Sequence, residues 1–204
     1  MKNKTSIVIL LFPIILCIGI FTIPFVSDYS NNIATEEAAS QTGRWLWGHI
    51  ISGIAFGTSI IVAHYITQYL NSRGQKQSGM ISLSLIAIGG TLLAIGLGAD
   101  GVGPAATSSG GLQASVFFEG SGMIVTGIFM SGIILFGFGL INQIIGLGHA
   151  GLIPKRLSPI LLISTILLMG ASAIPSSLGL YIIAFTSILI YGSLSFLFWR
   201  SSID

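Results

Sequence analysis

Six apolar runs fill most of this chain, and almost no charge falls inside them. They lie near Ser6–Val26, Trp45–Leu70, Gly79–Leu97, Ala114–Ile141, Leu157–Ala173 and Leu178–Trp199. A stretch of ~20 apolar residues is what a helix needs to cross the hydrocarbon of a bilayer. Inside hydrocarbon every backbone N–H and C=O must find a partner within the protein, and runs of this length satisfy that as helices. The expected fold is therefore all-α: a polytopic membrane helix bundle of six transmembrane helices, with 1–204 forming a single integral membrane domain. The second and fourth runs are long enough to require tilt or to rise beyond the hydrocarbon. The fifth is short and closes ahead of Pro175.

Composition narrows the function classes. Only 7% of the 204 residues are charged, against roughly 25% in soluble domains. A soluble globular domain and a disordered chain are both excluded. The net charge of +2 is too small for a nucleic-acid partner. One cysteine, Cys17, allows no internal disulfide.

The basic residues set an orientation. Lys2, Lys4, Arg73, Lys76, Lys155, Arg156 and Arg200 flank the runs on one side, and only Arg44, of the 8 Lys and Arg, falls on the other. By the positive-inside rule the first group is cytoplasmic, so both termini are cytoplasmic. Asp28, Glu36, Glu37 and Asp100 fall outside, with Glu119 near the outer end of the fourth run. The first run is longer than a signal-peptide core and lacks a small-residue cleavage site, so it is expected to stay as a helix. The lack of an Arg/Ser-rich leader favours a cell membrane over an organelle. The outer segments 27–43 and 98–113 are expected as loops, the second flexible because it is rich in Gly, Ser and Ala.

A shift of 74 residues lays Arg44–Ala99 over Phe118–Ala173 with 13 identities in 56 positions, among them Gly48/Gly122 and Gly53/Gly127. This suggests a parallel internal repeat, with helices 2–3 matching helices 4–5.

Small residues mark the expected helix contacts: Gly53, Gly57, Gly90, Gly98, Gly122 and Gly127. Small side chains let helices approach where apolar burial gives no drive between them. His49 and His64 are 15 residues apart on the second run, about 60° around a helix at ~100° per residue. Both are expected on the face that packs inward with Gly53 and Gly57.

Glu119 is the one acid well inside an apolar run. A carboxylate there needs a cation, a proton or an ion. His49, Arg44 and Asp100 fall at similar depth, so Glu119, His49, Asp100 and Arg44 form a candidate ion or proton site, and an Arg44–Glu119 ion pair is the structural reading of the same residues. His49, Glu119 and Asp100 would also supply mixed ligands to a metal, and the two histidines to haem, although no third histidine lies in a run to complete a ligand set. Met123 and Met130 share the Glu119 face and are read as packing. No specific cofactor follows from these residues.

No P-loop, HExxH, CxxC or GxSxG motif is present, so an enzyme is not expected. Three functions are compatible with the sequence. The first is a non-catalytic accessory or structural subunit of a membrane complex, with the lipid bilayer and other membrane subunits, or further copies of itself, as partners. The second is a small transporter or proton/cation pathway using Glu119 and His49. The third is a metal- or haem-dependent membrane redox subunit.

Overall fold

The computed structural model describes residues 2–201, with side chains from Thr5 onward. Seven helices run α1 Lys2–Thr22, α2 Asn32–Ser40, α3 Thr42–Ser72, α4 Lys76–Ser109, α5 Ser115–His149, α6 Ser158–Ala171 and α7 Ser177–Arg200. Among the described residues there is no strand. Five helices (α1, α3, α4, α5 and α7) are long and apolar enough to cross a membrane. The fifth expected run yields α6, which has 14 residues. At ~1.5 Å per residue it is about 21 Å long, short of the ~30 Å hydrocarbon.

Neighbouring rods alternate in direction. Helix α1 packs on α3 and α7, α3 on α4, α4 on α5, α5 on α6, and α6 on α7, which closes a ring of six. Helix α2 touches α3, α4 and α5 and lies over one end of the ring, called here the outer end. The middle is filled by Phe12, Phe56, Phe136 and Tyr191, all within 6 % of full burial. Their ring centroids stand 5.5 Å (Phe12–Phe56), 5.9 Å (Phe12–Phe136), 4.7 Å (Phe12–Tyr191) and 5.3 Å (Phe56–Phe136) apart.

Close helix approach depends on particular glycines. A Cβ on Gly89 would lie 2.7 Å from the carbonyl oxygen of Gly132, and one on Gly139 would lie 3.0 Å from the Ile86 nitrogen. These positions form the α4–α5 seam. Gly19 and Gly48 do the same where α1 crosses α3. Polar clasps add to the seams. Asn142 Nδ2 donates to Ser78 O and to Ser82 Oγ, both at 2.8 Å. Ser6 and Ser195 join α1 to α7 through hydroxyls 2.9 Å apart.

Helices α3, α4 and α5 stop in the same way. Gly74, Gly111 and Gly151 take φ of 76°, 79° and 76°, a left-handed conformation that glycine adopts without a Cβ clash. The next residue then bonds back across the turn: Gln75 N to Leu70 O at 2.9 Å, Leu112 N to Thr107 O at 3.0 Å and Leu152 N to Leu147 O at 3.0 Å. Each is a Schellman closure of the orphaned carbonyls.

Both outer segments are more ordered than expected. Helix α2 forms within 27–43 because Asn31 caps it, its side chain accepting from Ile33 N at 3.0 Å and Ala34 N at 3.4 Å. It buries Thr35, Ala38 and Ala39. The stretch 98–113 is helical to Ser109, as the end of α4. Its small residues serve contact: Gly101 lies against His49 and Gly103 against the ring of Phe117.

The two arms of the suggested repeat are unequal. Helices α3 and α4 have 31 and 34 residues, and α5 and α6 have 35 and 14. The turn glycine also falls out of register, since Gly74 aligns with Gly148 but Gly151 takes the positive φ. Gly48 and Gly53 are packed, while a Cβ on Gly127 would meet nothing.

Candidate functional site

Asp100 and His49 meet near the outer end, where α4 crosses α3. His49 Nε2 stands 3.2 Å from Asp100 Oδ2, and His49 is 3% exposed. Its Nδ1 is 2.7 Å from Trp45 O. A carbonyl oxygen only accepts, so Nδ1 must carry a hydrogen. The Nε2–Oδ2 contact then joins the other ring nitrogen to the Asp100 carboxyl.

The Trp45 indole fixes the other side. Pro104 lies inside α4. It has no N–H, so the carbonyl four residues back, at Asp100, loses its helical donor. Trp45 Nε1 supplies the replacement, donating to Asp100 O at 2.7 Å. The Trp45 and His49 rings lie 4.7 Å apart. One residue of α4 thus takes two bonds from α3, one on its backbone and one on its carboxyl.

Glu119 and Arg44 do not join this pair. Glu119 is exposed, and Asn32 Nδ2 donates to its Oε1 at 3.3 Å. Arg44 donates through Nε to Thr22 O at 3.2 Å and through Nη1 to Gln41 Oε1 at 3.0 Å. The expected Arg44–Glu119 ion pair is therefore absent among the described residues. Arg44 precedes Trp45 by one residue, which turns it ~100° around the helix, toward α1 instead of α4. Glu119 stays exposed because α6 touches α5 at Gly137 through Met169 and ends at Ala171. Of the expected burial of Glu119 within the bundle, only its position at the outer end holds.

These residues nevertheless share one space. A cavity of about 540 Å³ opens at the outer end between α5 and the far wall of the ring, and His49, Asp100 and Glu119 all line it. Below them its walls are apolar, and Phe56 at its lower end belongs to the aromatic cluster that fills the ring. The far wall includes the α6–α7 turn, Ala171–Ser176. That turn is tied to the segment after α1: Tyr29 N donates to Pro175 O at 2.7 Å, Ser177 N to Val26 O at 2.9 Å, and Ser177 Oγ accepts from Val26 N at 2.8 Å. Burial pushes the Tyr29 hydroxyl up to about 12, with a hydrogen bond to Ser177 opposing and the Asp100 charge adding to the rise. Asp28, on the exposed side, is held below the usual carboxylate range by hydrogen bonds from the Ser30 hydroxyl and N–H.

Several expected packing residues lie elsewhere. Gly53 packs on Ala94 and Gly90 on the Phe56 carbonyl, as anticipated. A Cβ on Gly57, Gly98 or Gly127 would meet nothing, and one on Gly122 only the Phe118 Cβ of its own helix at 4.0 Å. His64 is exposed and bonds Gln68 across 2.9 Å. The geometry of α3 explains this. Taking His49 as zero and ~100° per residue, the buried residues span about −140° (Val62) to about +40° (Gly53). His64 at about +60° and Gly57 at about +80° fall just past that arc. Met123, on the Glu119 face, is 88% exposed.

Glu36 was not legible as a site residue. Its two carboxylate oxygens accept from Ala114 N at 3.0 Å and Ser115 N at 2.8 Å. It thus caps the start of α5 across 78 residues of sequence, and an anion is favoured there by the unpaired N–H groups and the helix dipole. No local pattern announces so distant a cap. Among the described residues no group of three His, Cys, Asp or Glu side chains is placed to hold a metal. Both ring nitrogens of His49 are already engaged by the protein.

Compared with known proteins, the chain matches no family model, no curated protein and no solved structure.

Proposed function

We propose that this chain is a multi-pass protein of the cell membrane, cytoplasmic at the end that carries Arg73, Lys76, Lys155, Arg156 and Arg200, and that it acts as a non-catalytic accessory subunit. The orientation is supported by the charge asymmetry of the two ends. Both chain termini then lie on the cytoplasmic side. In this reading α6 and its flanking turns make the sixth crossing, returning the chain from the inner end of α5 to the outer end of α7.

The observation that carries the accessory role is the outward face of α3. Ile54, Gly57, Ile61, His64 and Gln68 are all exposed. Their spacing alternates three and four residues, which confines them to an arc of roughly 80°. A glycine with open space above it, and a His–Gln pair turned away from its own bundle, are what a second membrane helix would cover. Small residues permit close approach, and polar groups at a hydrocarbon boundary gain by bonding across helices. The partner is a spanning helix of another subunit or of a second copy.

Cysteine crosslinking in native membranes tests this. Ile61→Cys is expected to trap a partner or a dimer, and Gly57→Leu to abolish the crosslink without unfolding the monomer. A chain that stays monomeric and uncrosslinked from every one of these five positions would remove the proposal.

A second reading, a proton or cation pathway, draws on His49, Asp100 and Glu119 lining one cavity. The aromatic cluster beneath that cavity leaves it blind in this conformation. A flux that survives Glu119→Gln would eliminate this reading.

A further inference from the structure

The outer cavity has the chemistry of a binding site, and its lining distinguishes between ligand classes. Its lower walls are hydrocarbon, supplied by Leu16, Ile20, Leu97, Phe129, Ile133 and Ile183. From Glu119 to Ile133 it follows α5 for about 21 Å at ~1.5 Å per residue. Its volume of about 540 Å³ falls within the roughly 300–1,000 Å³ of small-molecule sites and suits one acyl chain better than two.

The outer rim is acidic and aromatic. Asp100, Glu119 and His49 line it, and no lysine or arginine does. Asp100 is already engaged by His49 at 3.2 Å. Glu119 remains as the carboxylate without a cationic partner among the described residues, held only by the Asn32 amide. Beside it stand Tyr29, Trp45 and Phe118, the last two with ring centroids 5.9 Å apart. Aromatic faces beside a carboxylate attract organic cations, and quaternary ammonium groups most of all, because such ions are weakly hydrated and are drawn to the ring quadrupole. The same rim repels phosphate and sulfate heads.

We propose that this cavity binds a single-chain cationic amphiphile, with its ammonium head at Glu119 and the rim aromatics and its tail running down toward Phe56. The open outer flank of α5 lets such a ligand enter from the side. The binding does not depend on the accessory role, since the cavity-lining residues of α3 (His49, Ser52, Phe56) and its exposed Ile54–Gln68 face lie on different sides of that helix.

Tryptophan quenching tests it. The full chain carrying Trp47→Phe and Trp199→Phe, in nanodiscs of phosphatidylcholine, leaves Trp45 as the reporter at the rim. It is titrated with dodecyltrimethylammonium brominated beside the head, and in parallel with the matching brominated dodecyl sulfate. Saturable quenching by the ammonium probe and only linear quenching by the sulfate are expected. Glu119→Gln should weaken the ammonium probe about fivefold, the effect of one partly exposed charge contact. Gly122→Leu, which projects into open cavity space, should abolish the saturable component. Linear quenching by both probes, equal affinity for the sulfate, or saturation untouched by both variants would overturn the proposal.

Discussion

The inner and outer halves of the ring use the same residue types to different ends. Toward the inner end, Gly89, Gly132, Gly139 and Gly146 each sit against a facing helix, and Asn142 with Ser78 and Ser82 locks α4 to α5. Toward the outer end, Gly120, Gly122 and Gly127 face no neighbouring helix, and polar residues line a cavity. All of these except Gly89, which is on α4, belong to one continuous helix, α5. What differs is the neighbour: α4 follows α5 along its length, whereas α6 ends at Ala171. A glycine marks helix contact only where a second helix is present to make it.

The contrast is broken most severely at its tightest point. Gly89→Leu should drive α4 from α5, because the new side chain meets the Phe136 backbone and the Gly132 carbonyl. A loss beyond about 3 kcal/mol is expected, or no folded protein. Gly127→Leu enters open space and should leave thermal stability in detergent within about 0.5 kcal/mol. Equal effects would show that Gly127 faces a packed neighbour after all.

The polar residues of the outer half separate next. Asp100→Ala removes the partner of buried His49 and should cost about 3 kcal/mol. Glu119→Gln, exposed and held by one amide, should cost less than about 0.5 kcal/mol. Denaturation of the two variants side by side measures the difference. A destabilisation by Glu119→Gln as large as that by Asp100→Ala would mean that Glu119 belongs to the buried network.

Tyr29 links the outer half to alkaline pH. Burial raises its hydroxyl from 10 to about 12. Below pH 10 both folded and unfolded chains keep the proton, and the contribution is fully present. Between 10 and 12 only the unfolded chain ionises, so stability is lost as pH rises, by about 3 kcal/mol at most. A melting-temperature profile should show this slope in the native protein and lose it in Tyr29→Phe.

A gain in stability is expected in the inner half. Gln143 is buried, and its Nε2 has no hydrogen-bond partner among the described residues. Gln143→Met keeps the volume and removes the unsatisfied donor, so a gain of about 1 kcal/mol is expected. A clear loss in thermal denaturation would show that the amide has a partner when the protein is in a membrane.

Much of this was legible without coordinates. Apolar run length gave six of the seven helices, because a helix in hydrocarbon must satisfy its own backbone. Depth placed Glu119, His49, Asp100 and Arg44 near one surface, but only His49 and Asp100 touch, because depth fixes no direction around a helix. Helix α2 was readable in principle from Asn31 as a cap, but its polar composition masked it. The angular error at His64 and Gly57 is instructive: the 60° between the two histidines is a property of any helix. The centre of the buried arc belongs to the neighbours.

The amino-acid sequence by itself determined the class of fold and the sorting of charge to two ends. These follow from backbone hydrogen bonding and from solvation, which act locally. Only the tertiary structure decided which glycines are contacts, that Arg44 turns toward α1 while Glu119 is left to Asn32, that Glu36 caps α5, and that the short α6 leaves a cavity at the outer end. Each of those depends on which helix stands beside which. In a membrane that choice rests on shape and polar pairing between distant segments, because hydrophobicity alone does not distinguish one apolar neighbour from another.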